Sequence, residues 1–256
     1  MEYFKGKVII ITGASRGIGR QLALDLGAKG AKLILIARSV DLLNEVKRQA
    51  GNNALVVKCD VSDKKHVDSA VKAALKRFRR IDILVNCAGY GSHAPVRDFS
   101  NEGIEQMTAV NYLGTVYFCK AVLPVMERQH SGTIVNIASV AGKLAIPRSA
   151  AYCATKHAVI GFSHSLRLES RCKGISVSVI CPGAVRTNFF DNYKHNSLWK
   201  TLPMLSASDV SNAIQRAIIH HTPEITLPGW LSFIVWLKGA FSPVTSPLFD
   251  FFAERL

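Results

Sequence analysis

Three side chains between Ser139 and Lys156, in the stretch SVAGKLAIPRSAAYCATK, could do proton chemistry together: the hydroxyl of Ser139, the phenol of Tyr152 and the ammonium of Lys156. Tyr152 and Lys156 stand four apart in a run, YCATKHAVIGFSHSLRLES, that reads as helix, so one helical face carries both. A phenol titrates near ~10 in water, too high for a good base at neutral pH. A cation one helical turn away favours the phenolate and lowers that value. Tyr152 can then protonate an alkoxide or accept a hydroxyl proton. Ser139 closes an apolar strand-like run, TIVNIAS, and can aim its hydroxyl at the same oxygen. Alone, a Tyr and a Lys at this spacing could equally be surface residues of an ordinary helix, so the weight falls on the elements around them.

Those elements alternate. Apolar runs typical of strands buried on both faces fall at Lys7–Thr12 (KVIIIT), Lys32–Ala37 (KLILIA), Ala54–Lys58 (ALVVK), Ile81–Val85 (IDILV), Thr133–Ser139 and Ile175–Cys181 (ISVSVIC), with Glu224–Leu227 as a short last strand. Helices are predicted over RQLALDLGAKG after the first strand, Ser39–Ala50, Lys64–Arg79 with Asp63 as N-cap, about Asn101–Arg128, Tyr152–Arg171 and Ser206–His220. The fold class is therefore α/β: a Rossmann-like doubly wound parallel sheet of about seven strands with helices on both faces, then an apolar helical tail. No repeat, linker or low-complexity tract divides the chain. The reading is one domain over 1–256, with a substrate flap and helix at 188–222 and the tail at 228–256.

The first strand runs into Gly13-Ala14-Ser15-Arg16-Gly17-Ile18-Gly19 and then a helix. Strand, glycine loop and helix together suit a dinucleotide: glycines admit backbone amides to a pyrophosphate, and the helix N-terminus favours its charge. An NAD-selective site would place Asp or Glu near the end of the second strand, to accept from a ribose 2′-hydroxyl. Ala37, Arg38 and Ser39 stand there instead. Arg38 cannot accept from that hydroxyl but can pair with a 2′-phosphate, and Arg16 offers a second clamp, so the expected cofactor is NADP(H). Ligands of such sheets bind beyond the C-terminal strand ends. Asp60, Asn86, Ser139 and Pro182 join the glycine loop there, which points to one shared site. Asn111, polar among Val110, Leu113 and Val116, needs partners if buried and on its own reads as a structural hydrogen-bonder. Asn188–Leu205, rich in aromatics such as Phe189 and Phe190, reads as a mobile flap over that site, and His93 is a further candidate for touching substrate.

Composition narrows the partners. The chain has 256 residues and a net charge of +14, which suits a phosphorylated cofactor, an anionic membrane surface or nucleic acid. Nucleic acid is set aside, because the basic residues are scattered and no aromatic-interleaved patch appears. The densest cluster, Lys76 to Arg80, ends a predicted helix and offsets its dipole. Six cysteines without a C-x-x-C pair fit buried thiols in a reducing compartment, so a cytoplasmic location is expected. With Met1 only a few residues before KVIIIT, no signal peptide is expected. No metal site is expected: His220 and His221 are adjacent at a helix end and lack carboxylate or thiol partners.

Taken in order, TGASRGIG (Thr12–Gly19), CDV (Cys59–Val61), NCAG (Asn86–Gly89), Asn111, IAS ending at Ser139, YCATK (Tyr152–Lys156) and PGAVRT (Pro182–Thr187) resemble the short-chain dehydrogenase/reductase family over roughly residues 5 to 230. The resemblance implies a catalytic tetrad of Asn111, Ser139, Tyr152 and Lys156. Tyr152 would be the general acid in carbonyl reduction and Ser139 would hold the substrate oxygen. Lys156 would bind the nicotinamide ribose and depress the tyrosine value, and Asn111 would anchor a relay water. It further implies that Gly13, Ser15, Arg16, Gly17, Ile18, Gly19, Arg38 and Ser39 hold the cofactor's phosphate and ribose end. Asp60 and Val61 would flank the adenine, and Asn86, Ala88, Gly89, Pro182 and Gly183 would line the cleft. Val185 and Thr187 would meet the carboxamide. Members are commonly dimers or tetramers built on the two long helices, here those bearing Asn111 and Tyr152.

The tail, ITLPGWLSFIVWLKGAFSPVTSPLFDFFAERL, departs from the plainest members and is more like the branch with 11β-hydroxysteroid dehydrogenases and 3-ketodihydrosphingosine reductase. Ile225–Leu237 carries no charge but is too short to span a bilayer before Lys238 and Pro243. Substrate-pocket wall, subunit interface and peripheral membrane contact anchored by Trp230 and Trp236 remain the three readings, wall or interface being preferred. The function expected is an NADPH-dependent oxidoreductase acting on a lipophilic ketone, aldehyde or secondary alcohol. The competing readings are a non-catalytic NADP(H)-binding regulator and a membrane-peripheral reductase of lipids.

Overall fold

The computed structural model describes residues 2–51, 53–187 and 204–240. In chain order the elements are β1 (Val8–Thr12), α1 (Gly17–Ala28), β2 (Lys32–Ala37), α2 (Val40–Ala50), β3 (Ala54–Lys58), α3 (Lys64–Phe78), β4 (Ile83–Asn86), α4 (Asn101–Thr108), α5 (Gly114–Gln129), β5 (Gly132–Ile137), α6 (Ala150–Ser170), β6 (Ile175–Pro182), α7 (Ala207–His220), β7 (Glu224–Leu227) and α8 (Trp230–Ala240). The described strands form one sheet of seven, ordered β3-β2-β1-β4-β5-β6-β7, with every neighbouring pair parallel. The order reverses between β1 and β4, so the crevice beyond their C-terminal ends is where this topology receives a ligand.

Strand alternation builds the two cores. Ile9 and Ile11 of β1 face α1, α2 and α7 together with Leu22, Leu33 and Ile214. Val8 and Ile10 face the opposite layer, with Val67, Phe118 and Ile134. All of β1 is buried, which is why it reads as an unbroken apolar run. The helix half of the 188–222 span belongs to this frame. Val210, Ile214 and Ile218 of α7 are fully buried, and the Ser211 hydroxyl donates to Asp25 of α1 at 2.5 Å.

The structure departs locally from the sequence expectation at two points. β4 begins at Ile83, two residues later than read, although Asp82 N already donates to Val8 O at 2.9 Å and Asp82 O accepts from Thr133 N at 3.0 Å; strand ends defined by hydrogen bonding vary by a residue or two. The helical run Asn101–Gln129 is interrupted by a π-helical turn at Ala109–Leu113. This run is long and apolar enough to cross a membrane, but Phe118, Val122 and Met126 bury it in the second core.

Candidate active site

The catalytic candidates come from three elements that end at the same crevice. α6 begins two residues before Tyr152 and carries both Tyr152 and Lys156 on its buried face. Ser139 sits just beyond β5, with extended backbone, and caps the short turn Val140–Gly142. Its hydroxyl accepts from Ala141 N at 3.1 Å and donates to Pro182 O at 3.3 Å, tying the end of β5 to the end of β6. Ser139, Tyr152 and Lys156 line one cleft together with Ile18, Gly89, Pro182, Gly183, Val185 and Thr187. The structure thus gathers residues expected from five separate stretches of sequence.

Lys156 is the least ordinary member. It is only 5% exposed, and burial pulls its ammonium down from 10.5 to about 8. At neutral pH it is still mostly protonated. Nζ donates to Ile137 O at 2.9 Å and lies 5.7 Å from the centre of the Tyr152 ring. An ammonium carries three donors, so the contact with Ile137 leaves capacity for a ligand in the cleft. Gly89 keeps that face open: a Cβ there would come within 3.1 Å of Asn111 Oδ1 and 3.5 Å of Lys156 Nζ.

Asn111 lies in the π-helical turn and is 1% exposed. Its amide is fully engaged: Oδ1 accepts Tyr90 N at 3.0 Å, while Nδ2 donates to Tyr90 O at 2.9 Å and Thr155 Oγ1 at 3.1 Å. Thr155 in turn donates to the Tyr152 carbonyl at 2.8 Å. Asn111 therefore fixes the loop after Gly89 and the turn of α6 that bears Tyr152. π-helical turns recur at functional sites because the extra residue re-aims its neighbours. Thr155 was not singled out from sequence, although it lies inside YCATK.

At the other end of the crevice the β1–α1 turn is built as read. Gly13 has φ +67 and Gly17 φ +53, and a Cβ on Gly13 would lie 2.9 Å from Ala88 Cα. Thr12 Oγ1 accepts both Cys87 N and Ala88 N at 3.0 Å, locking this turn to the end of β4. Arg16 is the N-cap of α1 and makes no side-chain cap bond, while the Gly19 amide of the first turn bonds to Cys87. Arg38 is exposed beyond β2. Asp60 is held below the usual carboxylate range: partial burial opposes this, but bonds from the Ser62 hydroxyl (2.7 Å) and amide (3.0 Å) and the charges of Arg38 and His66 outweigh it.

Other expected residues sit differently. The Asn86 side chain donates to Asn136 Oδ1 at 2.9 Å and Cys119 Sγ at 3.4 Å, so its amide stays in the layer behind the sheet. It continues through Asn136 and Ser163 as a buried polar ladder. Ala88 contributes its backbone to the Thr12 lock, and Val61 packs on Gly114. Ser39 is exposed at the start of α2. His93 Nδ1 lies 3.4 Å from the Ser149 hydroxyl, and Ser149 does line the cleft. Burial, then the charge of Arg148, lowers the His93 value. Phe189 and Phe190 lie outside the described residues, but the base of their segment is pinned beside the cleft by Arg186 N to Leu205 O (2.8 Å) and Leu205 N to Ala184 O (2.9 Å). Cys87 and Ser149 line the cleft without having been read as site residues. Nothing about a lone thiol or hydroxyl in the sequence marks its direction.

α8 follows β7 closely. A Cβ on Gly183 would lie 3.1 Å from Leu231 Cδ1, so this helix reaches the cleft edge, while Trp230, Phe233 and Trp236 are 48%, 62% and 59% exposed.

The model of the short chain dehydrogenase family matches residues 7–197. Human "Dehydrogenase/reductase SDR family member 7" is 41% identical over 203 residues, 76% of this chain and 60% of that protein, so the chain spans somewhat less than two thirds of that relative. An uncharacterized oxidoreductase of Staphylococcus saprophyticus is 37% identical over 222 residues, 85% of this chain and 90% of its own length. Among solved structures, a Burkholderia phymatum short chain dehydrogenase/reductase in complex with NAD superposes with TM-score 0.87 at 29% identity, covering 96% of this chain and 97% of its own. A Brucella melitensis 3-ketoacyl-(acyl-carrier-protein) reductase complexed with NADH gives 0.81 at 26% identity, covering 88% and 97%.

Proposed function

The chain belongs to the short-chain dehydrogenase family, oxidoreductases whose solved neighbours bind nicotinamide cofactors, and from that premise we propose that it is an NADPH-dependent reductase of lipophilic ketones or aldehydes with Tyr152 as general acid. The observation that carries this reading is Lys156: a buried ammonium beside the Tyr152 ring, with donor capacity facing a cleft open at Gly89. A structural lysine has no reason to accept that desolvation.

The residues fit a dinucleotide. The N-terminus of α1, with its positive dipole end and no side-chain cap, suits the pyrophosphate, Lys156 suits ribose hydroxyls, and Val185 and Thr187 line the cleft where the nicotinamide end would lie. When bound, the reduced nicotinamide supplies the hydride. Ser139 orients the carbonyl oxygen with its hydroxyl. Tyr152 delivers its proton to that oxygen as charge develops, and the Lys156 cation stabilises the phenolate left behind. Asn111 acts as a positioning residue, through Tyr90 and Thr155. Run backwards, the same groups oxidise a secondary alcohol.

NADPH is preferred in this reading because Arg38 and Arg16 flank the crevice where an acidic residue would otherwise accept from the ribose. The lipophilic substrate is supported by the apolar wall of Val140, Ala141 and Ile146 and by Leu231 at its edge. Fluorescence titration tests the cofactor: NADPH should bind at least about tenfold tighter than NADH, and Arg38→Ala should erase the difference. Equal affinities in the unmodified protein would make both arginines solvated surface charges and the cofactor NAD(H).

A further inference from the structure

The end of the sheet opposite the catalytic cleft holds a second cavity, of about 440 Å³. It forms where β1, β4, β5 and β6 begin, between the C-terminal end of α6 and the turn after α7. Lys7, Arg167, Arg171 and His221 line it, against the single carboxylate of Asp82. Asp82 does not balance them. Its Oδ2 accepts Val8 N at 2.8 Å, and its Oδ1 accepts two bonds from Arg80, at 2.9 and 2.6 Å. None of the ion pairs among the described residues includes Lys7, Arg167 or Arg171.

Arginines near a helix C-terminus have an ordinary role, which is to offset the dipole. That role does not account for Arg167. Its Nε is buried and meets no acceptor among the described residues. A buried donor without an acceptor is costly, more so on a charged group. An anion in the cavity would balance the charges of Arg167, Arg171 and Lys7, which line it. The volume falls in the range of small-molecule sites, roughly 300–1,000 Å³, and the recess suits a soluble molecule better than a flat bilayer.

We infer that this cavity binds a small phosphate-bearing anion, held by Arg167, Arg171 and Lys7, at a site separate from the cofactor crevice. Inorganic pyrophosphate is the probe, titrated calorimetrically into the full chain with the crevice already saturated by NADPH or NADH, whichever binds. One equivalent should bind. Arg167→Gln and Arg171→Glu should each weaken it at least about tenfold, while Arg97→Gln, which removes an exposed cation elsewhere, should leave it unchanged. Arg171 is exposed, so its variant carries the test even if the Arg167 variant does not fold. No binding to the unmodified protein, or equal weakening by Arg97→Gln, would overturn the assignment.

Discussion

The Lys156 ammonium lies 5.7 Å from the centre of the Tyr152 ring and donates to Ile137 O at 2.9 Å, nearly buried in the wall of the cleft. That placement costs stability and serves chemistry, and the two consequences can be measured separately.

On stability, the folded value of about 8 lies below the ordinary lysine value of 10.5. Between those pH values the unfolded chain holds the proton more tightly, so stability rises with pH across that window and is depressed below it by roughly 3 kcal/mol. Lys156→Met removes the buried charge. The variant should melt higher than the parent at pH 7, and the gap should narrow by pH 10, while turnover is lost. Thermal melts at both pH values check it; an unchanged gap would mean the lysine is not desolvated.

On rate, carbonyl reduction needs Tyr152 protonated and Lys156 charged. The value for kcat/KM in the reductive direction should therefore fall as pH rises through about 8, following Lys156. Steady-state rates from pH 6 to 10 test this, and a flat profile across that range would contradict it.

Asn111→Leu should cost about 1–3 kcal/mol, because Tyr90 N and O lose their partners inside the fold. Asn111→Asp keeps an acceptor for Tyr90 N but leaves Tyr90 O without a donor. Both should reduce kcat more than cofactor affinity, since the effect passes through Thr155 to the backbone of Tyr152. A change confined to melting temperature would leave Asn111 purely structural.

Gly13→Ala should destabilise the protein by about 1 kcal/mol or more, because φ is +67 and the new Cβ would meet Ala88 Cα at 2.9 Å. Dinucleotide affinity should fall with it, since the Thr12 lock and the first turn of α1 move together. Chemical denaturation and cofactor titration on one sample check both.

Period and punctuation carried much of this into the sequence. β1 is legible because all of its residues are buried, and the glycine turn because only glycine takes φ +67 beside Ala88. The Tyr152–Lys156 face follows from helical spacing alone. What stayed hidden depends on direction across the sheet. Asn86 stands at a strand end like the cleft residues, but its amide turns to Asn136 and Cys119. The π-helical turn is hidden because a run with helical spacing reads as one continuous helix, whereas the turn holding Asn111 is seen only with its bonds to Tyr90, 21 residues away. The basic cavity joins Arg167 and Arg171, four apart at the end of α6, to Lys7 from the start of the chain, a pairing that local spacing does not announce.

The most direct measurement is the turnover of Tyr152→Phe beside its cofactor affinity. The substitution removes one hydroxyl from a ring that stays packed against Met107 and Ala141. The account predicts that NADPH consumption with a ketone substrate falls about 10²–10⁴-fold while cofactor affinity stays within about twofold. Turnover retained at near the parent rate, with the cofactor bound, would show that Tyr152 is not the proton donor.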